Sequence, residues 1–147
     1  MNIIKSDAEG IAMCKIASEG SDDEDTKVGC IITNLHNEVL IKSCNKLPYG
    51  ISYSKDKISR PGKYTWIEHA ERNAIYEAAL KGYSLNACKM YLNWFPCIDC
   101  TRAIIQSGIK NLIVPNKPDF NHHRWGEQFK LSYQMLKEAD IFIKDSI

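Results

Sequence analysis

Two short motifs constrain the fold of this 147-residue chain more than any other feature of its sequence. His69-Ala-Glu71 lies at the start of a helical pattern, and a Pro-Cys-x-x-Cys motif with Cys97 and Cys100 lies between a strand pattern and a second helical pattern. Pro96 is tolerated in a first helical turn, and the two cysteines then share one face of that turn. A histidine and two cysteines at helix starts suit one shared metal ion, so the fold has to bring these helix starts together.

The residue types in these motifs match the preferences of zinc. Zn²⁺ favours nitrogen and sulfur ligands in a tetrahedral shell, and a catalytic site uses three protein ligands and keeps the fourth position for water. His69, Cys97 and Cys100 supply such a set. A helix start favours negative charge and lowers the pKa of a thiol, which helps to hold two thiolates.

Glu71 is not needed to bind the ion, and we therefore interpret it as a proton carrier. Beside the attacking water, its carboxylate can take a proton and deliver it to a ring nitrogen and to a departing amine. Zinc lowers the pKa of water to about 7, so hydroxide is available at neutral pH. The pattern H-x-E with a later P-C-x-x-C is typical of zinc nucleobase deaminases, and it predicts hydrolytic removal of an amino group from an aromatic base.

Two simpler interpretations of the cysteine pair remain open at this point. A C-x-x-C pair alone also occurs in redox sites and in structural zinc sites. A thioredoxin-like protein places the pair near its first strand, whereas here the pair comes late in the chain. A closed structural zinc site needs a fourth protein ligand, and the candidates Cys88 and His122 have no supporting spacing.

The periodicity of apolar residues predicts strands that alternate with helices. The predicted order is helix, strand, strand, helix, strand, helix, strand, helix, strand, which indicates a partly parallel sheet with helices on both faces. We find no repeat and no linker, and we expect a single domain over residues 1–147. Residues 45–64 contain two prolines and two glycines and are predicted to form a long loop, and loops of that length are usually functional.

Composition argues against several classes of partner. The formal net charge of +1 provides no field that would attract nucleic acid or an anionic membrane. No apolar run approaches the roughly 18 residues of a membrane span, and the N-terminal residues lack the pattern of a secretory signal. We therefore expect a cytoplasmic protein whose six cysteines stay reduced.

Most of the chain from Lys27 onward resembles the deoxycytidylate (dCMP) deaminase family, within the cytidine deaminase-like zinc superfamily. The resemblance is carried by KVGCII, CNKLPYGI, HAERNAI, MYLNWFPCIDCTRAIIQSGIKNLIV and EQFKLSYQMLKEADI. It implies a three-layer α/β/α fold with a mixed five-stranded sheet, and conversion of dCMP to dUMP and ammonia for thymidylate synthesis. It also implies a homo-oligomer, since many members are hexamers, and many are activated by dCTP and inhibited by dTTP.

The resemblance also assigns roles to individual residues. The zinc ligands would be His69, Cys97 and Cys100, the catalytic residue Glu71, and the substrate contacts Asn45 with the sugar hydroxyl, the Ala70 backbone with the pyrimidine and Val28 with the ring. The loop before His69 lacks the cysteine and histidine cluster of members with a second, structural zinc, so we expect one zinc per chain. Lys46 stands where many members have glycine, in a loop that contributes to effector binding, and this weighs against control by dCTP and dTTP.

A phosphate monoester needs cationic partners or backbone amides. The candidates are Lys27, Arg60, Lys63 and Arg124. We favour Lys27, which adjoins the VGC strand, and Arg124, which follows the last motif strand, as substrate-binding residues. Trp94 and Phe95 precede the cysteines and are equally consistent with the wall of a base pocket and with ordinary core packing.

Three rival functions share these motifs. A deaminase of dCTP or of a modified dCMP would carry the same residues. A tRNA adenosine deaminase also has H-A-E and P-C-x-x-C, but RNA binding favours a basic face, and acidic and basic residues nearly balance here. A catalytically silent nucleotide-binding zinc protein is the third rival, and Glu71 argues against it because such a protein has no use for a proton carrier.

Overall fold

The computed structural model describes residues 2–147, and its centre is one mixed five-stranded sheet. The strands are β1 (Gly29–Thr33), β2 (Val39–Cys44), β3 (Lys89–Leu92), β4 (Asn111–Ile113) and β5 (Phe142–Lys144). Their spatial order is β2-β1-β3-β4-β5. Strand β1 pairs antiparallel with β2 and β3, whereas β4 pairs parallel with both β3 and β5. The parallel half requires crossover connections, which helices supply.

The helices, in chain order, are α1 (Asp7–Ser18), α2 (Lys55–Ile58), α3 (Lys63–Trp66), α4 (Ala70–Lys81), α5 (Ile98–Ser107) and α6 (Gly126–Glu138). The Ser6 hydroxyl accepts the backbone N–H of Glu9 at 3.1 Å and caps the start of α1. Gly82 (φ 75°) and Gly108 (φ 91°) follow α4 and α5 in the left-handed conformation, which glycine adopts without strain. No helix within residues 2–147 is long and apolar enough to cross a membrane.

Alternation along the strands divides the apolar core into two layers, because successive side chains point to opposite faces of a sheet. One layer packs beneath α1 and contains Ile4, Ile11, Cys14, Ile31, Tyr91 and Ile113. The other contains Cys30, Ile32, Met90, Leu92, Leu112 and residues of α4, α5 and α6. Helix α4 contributes the buried alanines 70, 74 and 78 to this layer, and their small size lets its backbone lie close to the sheet.

The predicted fold class is confirmed, with corrections to some boundaries. The region 45–64 is not a plain loop, because α2 and the start of α3 lie within it. The apolar pattern from about Trp66 to Leu80 predicts one helix, but α4 begins only at Ala70, because Ile67 adopts an extended conformation (φ −86°, ψ 125°) and separates α3 from α4. Helix α5 begins at Ile98, so Pro96 precedes the helix rather than opening its first turn.

Candidate active site

The starts of α4 and α5 lie side by side above one edge of the sheet. His69 is the N-cap residue of α4 and Cys97 is the N-cap residue of α5, and both have extended backbones. Cys100 lies in the first turn of α5 and is fully buried. The packing of α4 against α5 thus brings the two sequence motifs to one place.

His69, Cys97 and Cys100 form a cluster whose ligand atoms all lie within 4.8 Å of one another. The Nδ1 atom of His69 is 3.6 Å from the Cys97 Sγ and 3.4 Å from the Cys100 Sγ. A tetrahedral ion with Zn–N and Zn–S bonds of about 2.05 and 2.3 Å separates nitrogen and sulfur by about 3.6 Å. These three side chains therefore fit a zinc ion, and it is the only such cluster in the part of the chain that the structure describes.

The two thiols are strongly coupled to each other. A hydrogen bond from Cys100 lowers the pKa of the Cys97 thiol to about 4, and His69 acts in the same direction. The contact with Cys97 and burial raise the pKa of Cys100. A bound divalent cation overrides this sharing of one proton, because a coordinating thiol is deprotonated outright.

Glu71 lies in the first turn of α4, two residues after His69, and it is only 4% exposed. Burial raises the pKa of its carboxyl group, which the neighbouring His69 opposes. Its side chain also lines the pocket described below. A carboxylate in this position can accept and return a proton without exchanging it with bulk water.

Contacts behind the cluster hold the ligands in place. The Glu68 carboxylate accepts a hydrogen bond from the backbone N–H of His69 at 2.9 Å. It also forms an ion pair with Arg72 at 2.7 Å. Arg72 also lies 3.7 Å from Asp99 of α5. Glu68 and Arg72 thus connect the start of α4 to the start of α5, which supports the geometry of the three ligands.

One pocket opens beside the cluster, and its inner wall is largely aromatic. Trp94, Phe95, Trp125 and Phe129 line it, and the Phe95 and Phe129 rings pack edge to face with centroids 5.7 Å apart. Trp94 also meets Phe129 edge to face, at 6.3 Å. Flat apolar walls of this kind suit a planar heterocyclic base.

Two asparagines fix the backbone of residues 26–29, part of which lines the pocket. The Asn45 side chain accepts the backbone N–H of Val28 at 3.0 Å and donates to the Thr26 carbonyl at 2.8 Å. Asn93 accepts the backbone N–H of Gly29 at 2.8 Å and donates to the Lys27 carbonyl at 3.1 Å. Val28 and Asn45 line the pocket, so Asn45 shapes the wall as well as facing the cavity.

Acidic residues from the loop before β1 pair with two of the pocket's cations. Lys63 lies 3.0 Å from Asp23, and both side chains are less than a tenth exposed. Arg60 lies 3.3 Å from Asp25, which is 3.6 Å from Lys63. Two of the lining cations are therefore already balanced by carboxylates.

The third lining cation, Arg124, has no acidic partner in residues 2–147. Arg60 donates to the Tyr64 hydroxyl at 2.8 Å. This hydrogen bond, together with the charges of Arg60, Lys63 and Arg124, lowers the pKa of Tyr64. Tyr64 therefore lies close to the cations that line the pocket, and its ring centroid is 5.5 Å from the Lys63 Nζ atom.

The structure brings most of the predicted site residues to this pocket. Val28, Asn45, Ala70 and Arg124 line it together with His69, Cys97 and Glu71, whereas Cys100 is fully buried behind them. Lys27 does not line it, because its exposed side chain turns away and its Nζ lies 3.4 Å from the Ser21 carbonyl.

Sequence reasoning missed several lining residues. These are Asp23, Thr26, Tyr64, Ile67, Trp125 and Phe129. The prolines and glycines of residues 45–64 indicated a functional loop, but they carried no signal for which of its side chains face the cavity. Trp94 and Phe95 both line the pocket, and Phe95 is also part of the buried core.

Residues 5–115 match the family model of the cytidine and deoxycytidylate deaminase zinc-binding region. The chain belongs to this family. An uncharacterized deaminase from the luxG 3′ region of Aliivibrio fischeri is 35% identical to it over 129 residues, which cover 88% of this chain and 85% of the relative. Human deoxycytidylate deaminase is 32% identical over 111 residues, which cover 70% of this chain but only 60% of the human enzyme.

Solved structures show the same fold at low sequence identity. The dCMP deaminase of the cyanophage S-TIM5 in complex with dCMP and dUMP superposes with a TM-score of 0.73, at 22% identity, over 96% of this chain and 98% of that chain. As a member of this family, the chain is a deaminase, and its His-Cys-Cys cluster matches the zinc-binding region that the family model describes.

Proposed function

We propose that this chain hydrolyses dCMP to dUMP and ammonia, with His69, Cys97 and Cys100 as the ligands of one zinc ion. The observation that carries the proposal is a buried Glu71 beside a zinc-shaped cluster, in a pocket with aromatic walls and an unpaired arginine. Relatives named deoxycytidylate deaminase support the choice of dCMP.

The mechanism follows from the positions of the side chains. Zinc, when bound, acts as a Lewis acid and makes hydroxide available near neutral pH. The Glu71 carboxylate takes a proton from the attacking water and delivers it to N3 of cytosine as oxygen adds to C4. It then carries a second proton to the amino group, and the bond between C4 and nitrogen breaks to release ammonia. Burial keeps these protons within the site.

The pocket walls orient the base and the sugar. Val28 and the aromatic rings of Phe95 and Phe129 hold the plane of the pyrimidine. The Ala70 backbone contacts the polar edge of the ring, and Asn45 contacts the sugar hydroxyl. Because Asn45 is fixed by Val28 and Thr26, its amide is preorganised for that contact.

The charges at the pocket favour a monophosphate over a triphosphate. Arg124 is free to bind an anion, whereas Lys63 and Arg60 are neutralised by Asp23 and Asp25. Apart from the ligand cluster and Glu71, the three lining cations and the carboxylates of Asp23 and Asp25 paired with them leave one net positive charge, on Arg124, which suits one phosphate group better than three.

A substrate panel tests the proposal. The purified chain is incubated with dCMP, dCTP, deoxycytidine and tRNA, and released ammonia is followed. We expect kcat/KM for dCMP to exceed the other values by at least about 100-fold, since each lost or mismatched phosphate contact costs a few kcal/mol. A higher rate with dCTP or with tRNA would overturn the assignment to dCMP, and no ammonia from any substrate would support a silent zinc protein.

A pair of variants separates the two predicted phosphate ligands. Arg124→Ala should raise the KM for dCMP about 10-fold or more, because it removes a charge-assisted contact. Lys27→Ala is the matched control, since Lys27 is a cation outside the pocket, and it should leave the KM unchanged. Equal effects of the two substitutions would contradict this placement of the phosphate.

We also propose that the chain forms one domain, carries one zinc and assembles as a homo-oligomer in the cytoplasm. The first two statements rest on the single sheet and on the single ligand cluster of residues 2–147. The last two rest on the family resemblance. Light scattering and metal analysis of the purified protein test the oligomer and the zinc content.

A further inference from the structure

A histidine outside the pocket controls a turn that carries two pocket residues. Residues 119–125 are the last part of the connection between β4 and α6, and Arg124 and Trp125 of this segment line the pocket. His122 does not line that pocket. Its Nδ1 atom accepts the backbone N–H groups of Arg124 and Trp125, each at 3.1 Å.

These two hydrogen bonds fix the turn that leads directly into α6, a helix without a side-chain cap. Trp125 is the N-cap residue of α6, and its side chain makes no capping hydrogen bond. Backbone N–H groups near a helix start have no partner within the helix, and a side-chain acceptor upstream can satisfy them. His122 does this for the two residues whose side chains face the cavity.

The rest of the turn is packed too tightly to hold a different shape easily. The His122 backbone donates to the Asp119 carbonyl at 3.1 Å and accepts the N–H of Gly126 at 2.9 Å. A Cβ atom at Gly126 would lie 2.4 Å from the Phe120 carbonyl oxygen. His122 therefore links both ends of a closely packed turn, and its ring is the only side chain that bonds to the N–H groups of Arg124 and Trp125 within residues 2–147.

We propose that His122 is a positioning residue for substrate affinity, which rests on the proposed deamination of dCMP. By holding the backbone at Arg124 and Trp125, it places the Arg124 guanidinium for the phosphate without touching the substrate. The effect belongs to binding, because His122 does not line the pocket and bonds instead to the backbone of two residues of the pocket wall.

The test compares the kinetics of three His122 variants with dCMP and with deoxycytidine, which lacks the phosphate. His122→Ala should raise the KM for dCMP about 10-fold with kcat within about twofold, because two hydrogen bonds that place the phosphate ligand are lost. The KM for deoxycytidine should change much less. His122→Asn should restore the wild-type KM, since an asparagine side chain accepts N–H groups two and three residues ahead in the same way.

His123→Ala is the matched control. The His123 ring stacks on His122 with centroids 4.7 Å apart, but His123 does not line the pocket. We expect it to leave the KM for dCMP unchanged. If His122→Ala fails to fold, His122→Asn and His122→Gln decide the question, because the glutamine oxygen lies one bond farther out and should not restore affinity.

Three outcomes would overturn the inference. They are a wild-type KM in His122→Ala, an equal loss of affinity for dCMP and for deoxycytidine, and a His122→Asn variant no better than His122→Gln. Failure of the proposed function is seen separately, in the wild-type chain, as a lack of ammonia release from dCMP.

Discussion

At the scale of single residues, the proposed chemistry depends on where Glu71 lies. A carboxyl group that is 4% exposed loses most of its hydration, and burial raises its pKa. Glu71 is the second residue of α4 and follows His69 and Ala70 directly. Its position is therefore set by the start of α4. Its role as a proton carrier can therefore be tested without disturbing the three ligands.

Replacing Glu71 with glutamine keeps the size of the side chain and removes its ability to carry a proton. We expect kcat for dCMP to fall by about 10² to 10⁴, the usual contribution of general acid–base catalysis. Zinc content, measured by mass spectrometry, should stay at the wild-type value. Glu77→Gln is the control on the same helix. Glu77 forms an ion pair with Lys81 at 3.1 Å and does not line the pocket. Activity near the wild-type value in Glu71→Gln would contradict the assignment.

At the scale of elements, one side of the pocket depends on the link between the loop before β1 and the short helix α3. Asp23 accepts the backbone N–H groups of Asp25 and Thr26 at 2.9 and 3.2 Å and pairs with the buried Lys63 of α3. Burial alone would raise the pKa of Asp23, but these hydrogen bonds and Lys63 together lower it. This pair thus fixes residues 23–26 against α3 while both its members line the cavity.

Removing one member of this pair should be costly. Lys63→Met leaves the Asp23 carboxylate buried without its cation, and we expect the free energy of unfolding to fall by about 3 kcal/mol. The double variant Asp23→Asn, Lys63→Met should recover much of that loss, because no charge is left buried. Lys55→Met is the control, since its pair with Glu24 is exposed, and its midpoint of urea unfolding should stay near the wild-type value.

The lowered pKa of Asp23 also predicts a direction for the effect of pH. Its contribution to stability is fully present above the unfolded carboxyl pKa of about 3.9 and is lost as the pH falls through the lower folded value. Urea unfolding midpoints measured from pH 6 down to pH 2 should therefore fall below about pH 4. The Asp23→Asn, Lys63→Met variant should show a shallower fall, and an equally steep one would argue that other carboxylates dominate.

At the scale of the whole molecule, the metal cluster joins parts of the chain that are far apart in sequence. His69 and Cys97 are 28 residues apart, and they hold the start of α4 against the start of α5. These helices cover the same face of the sheet and share its larger core layer. We therefore expect zinc bound at this cluster to stabilise the fold as well as to serve catalysis.

Removal of the metal should lower the melting temperature. At a free zinc concentration of about 100 times the Kd, binding adds about 2.7 kcal/mol to the free energy of unfolding. This corresponds to a rise in melting temperature of about 5 to 10 °C for a chain of this length. Calorimetry of the protein with and without a chelator measures this shift. Cys97→Ser should melt at a lower temperature and respond little to the chelator, whereas an equal response in both proteins would place the stabilising metal elsewhere.

The local sequence determined the elements and the chemistry of the motifs. The β-rich run around Cys30, Ile31 and Ile32 indicated a strand, which the structure buries on both faces, and Gly108 indicated the end of α5. The spacing of Cys97 and Cys100 on one helical turn, with His69 at another helix start, was sufficient to predict one metal site. These features depend on neighbours within a few residues, so they can be read along the chain.

Only the tertiary structure decided which charges face the pocket. Lys27 and Arg124 were equally plausible phosphate ligands in the sequence, but the backbone of residues 26–29, clamped by Asn45 and Asn93, leaves the Lys27 side chain outside. The pairing of Lys63 with Asp23 joins residues 40 positions apart, and no local pattern encodes it. Side-chain direction in loops depends on such long-range contacts, which form only when the elements pack, and this is the physical reason why the sequence alone did not identify them.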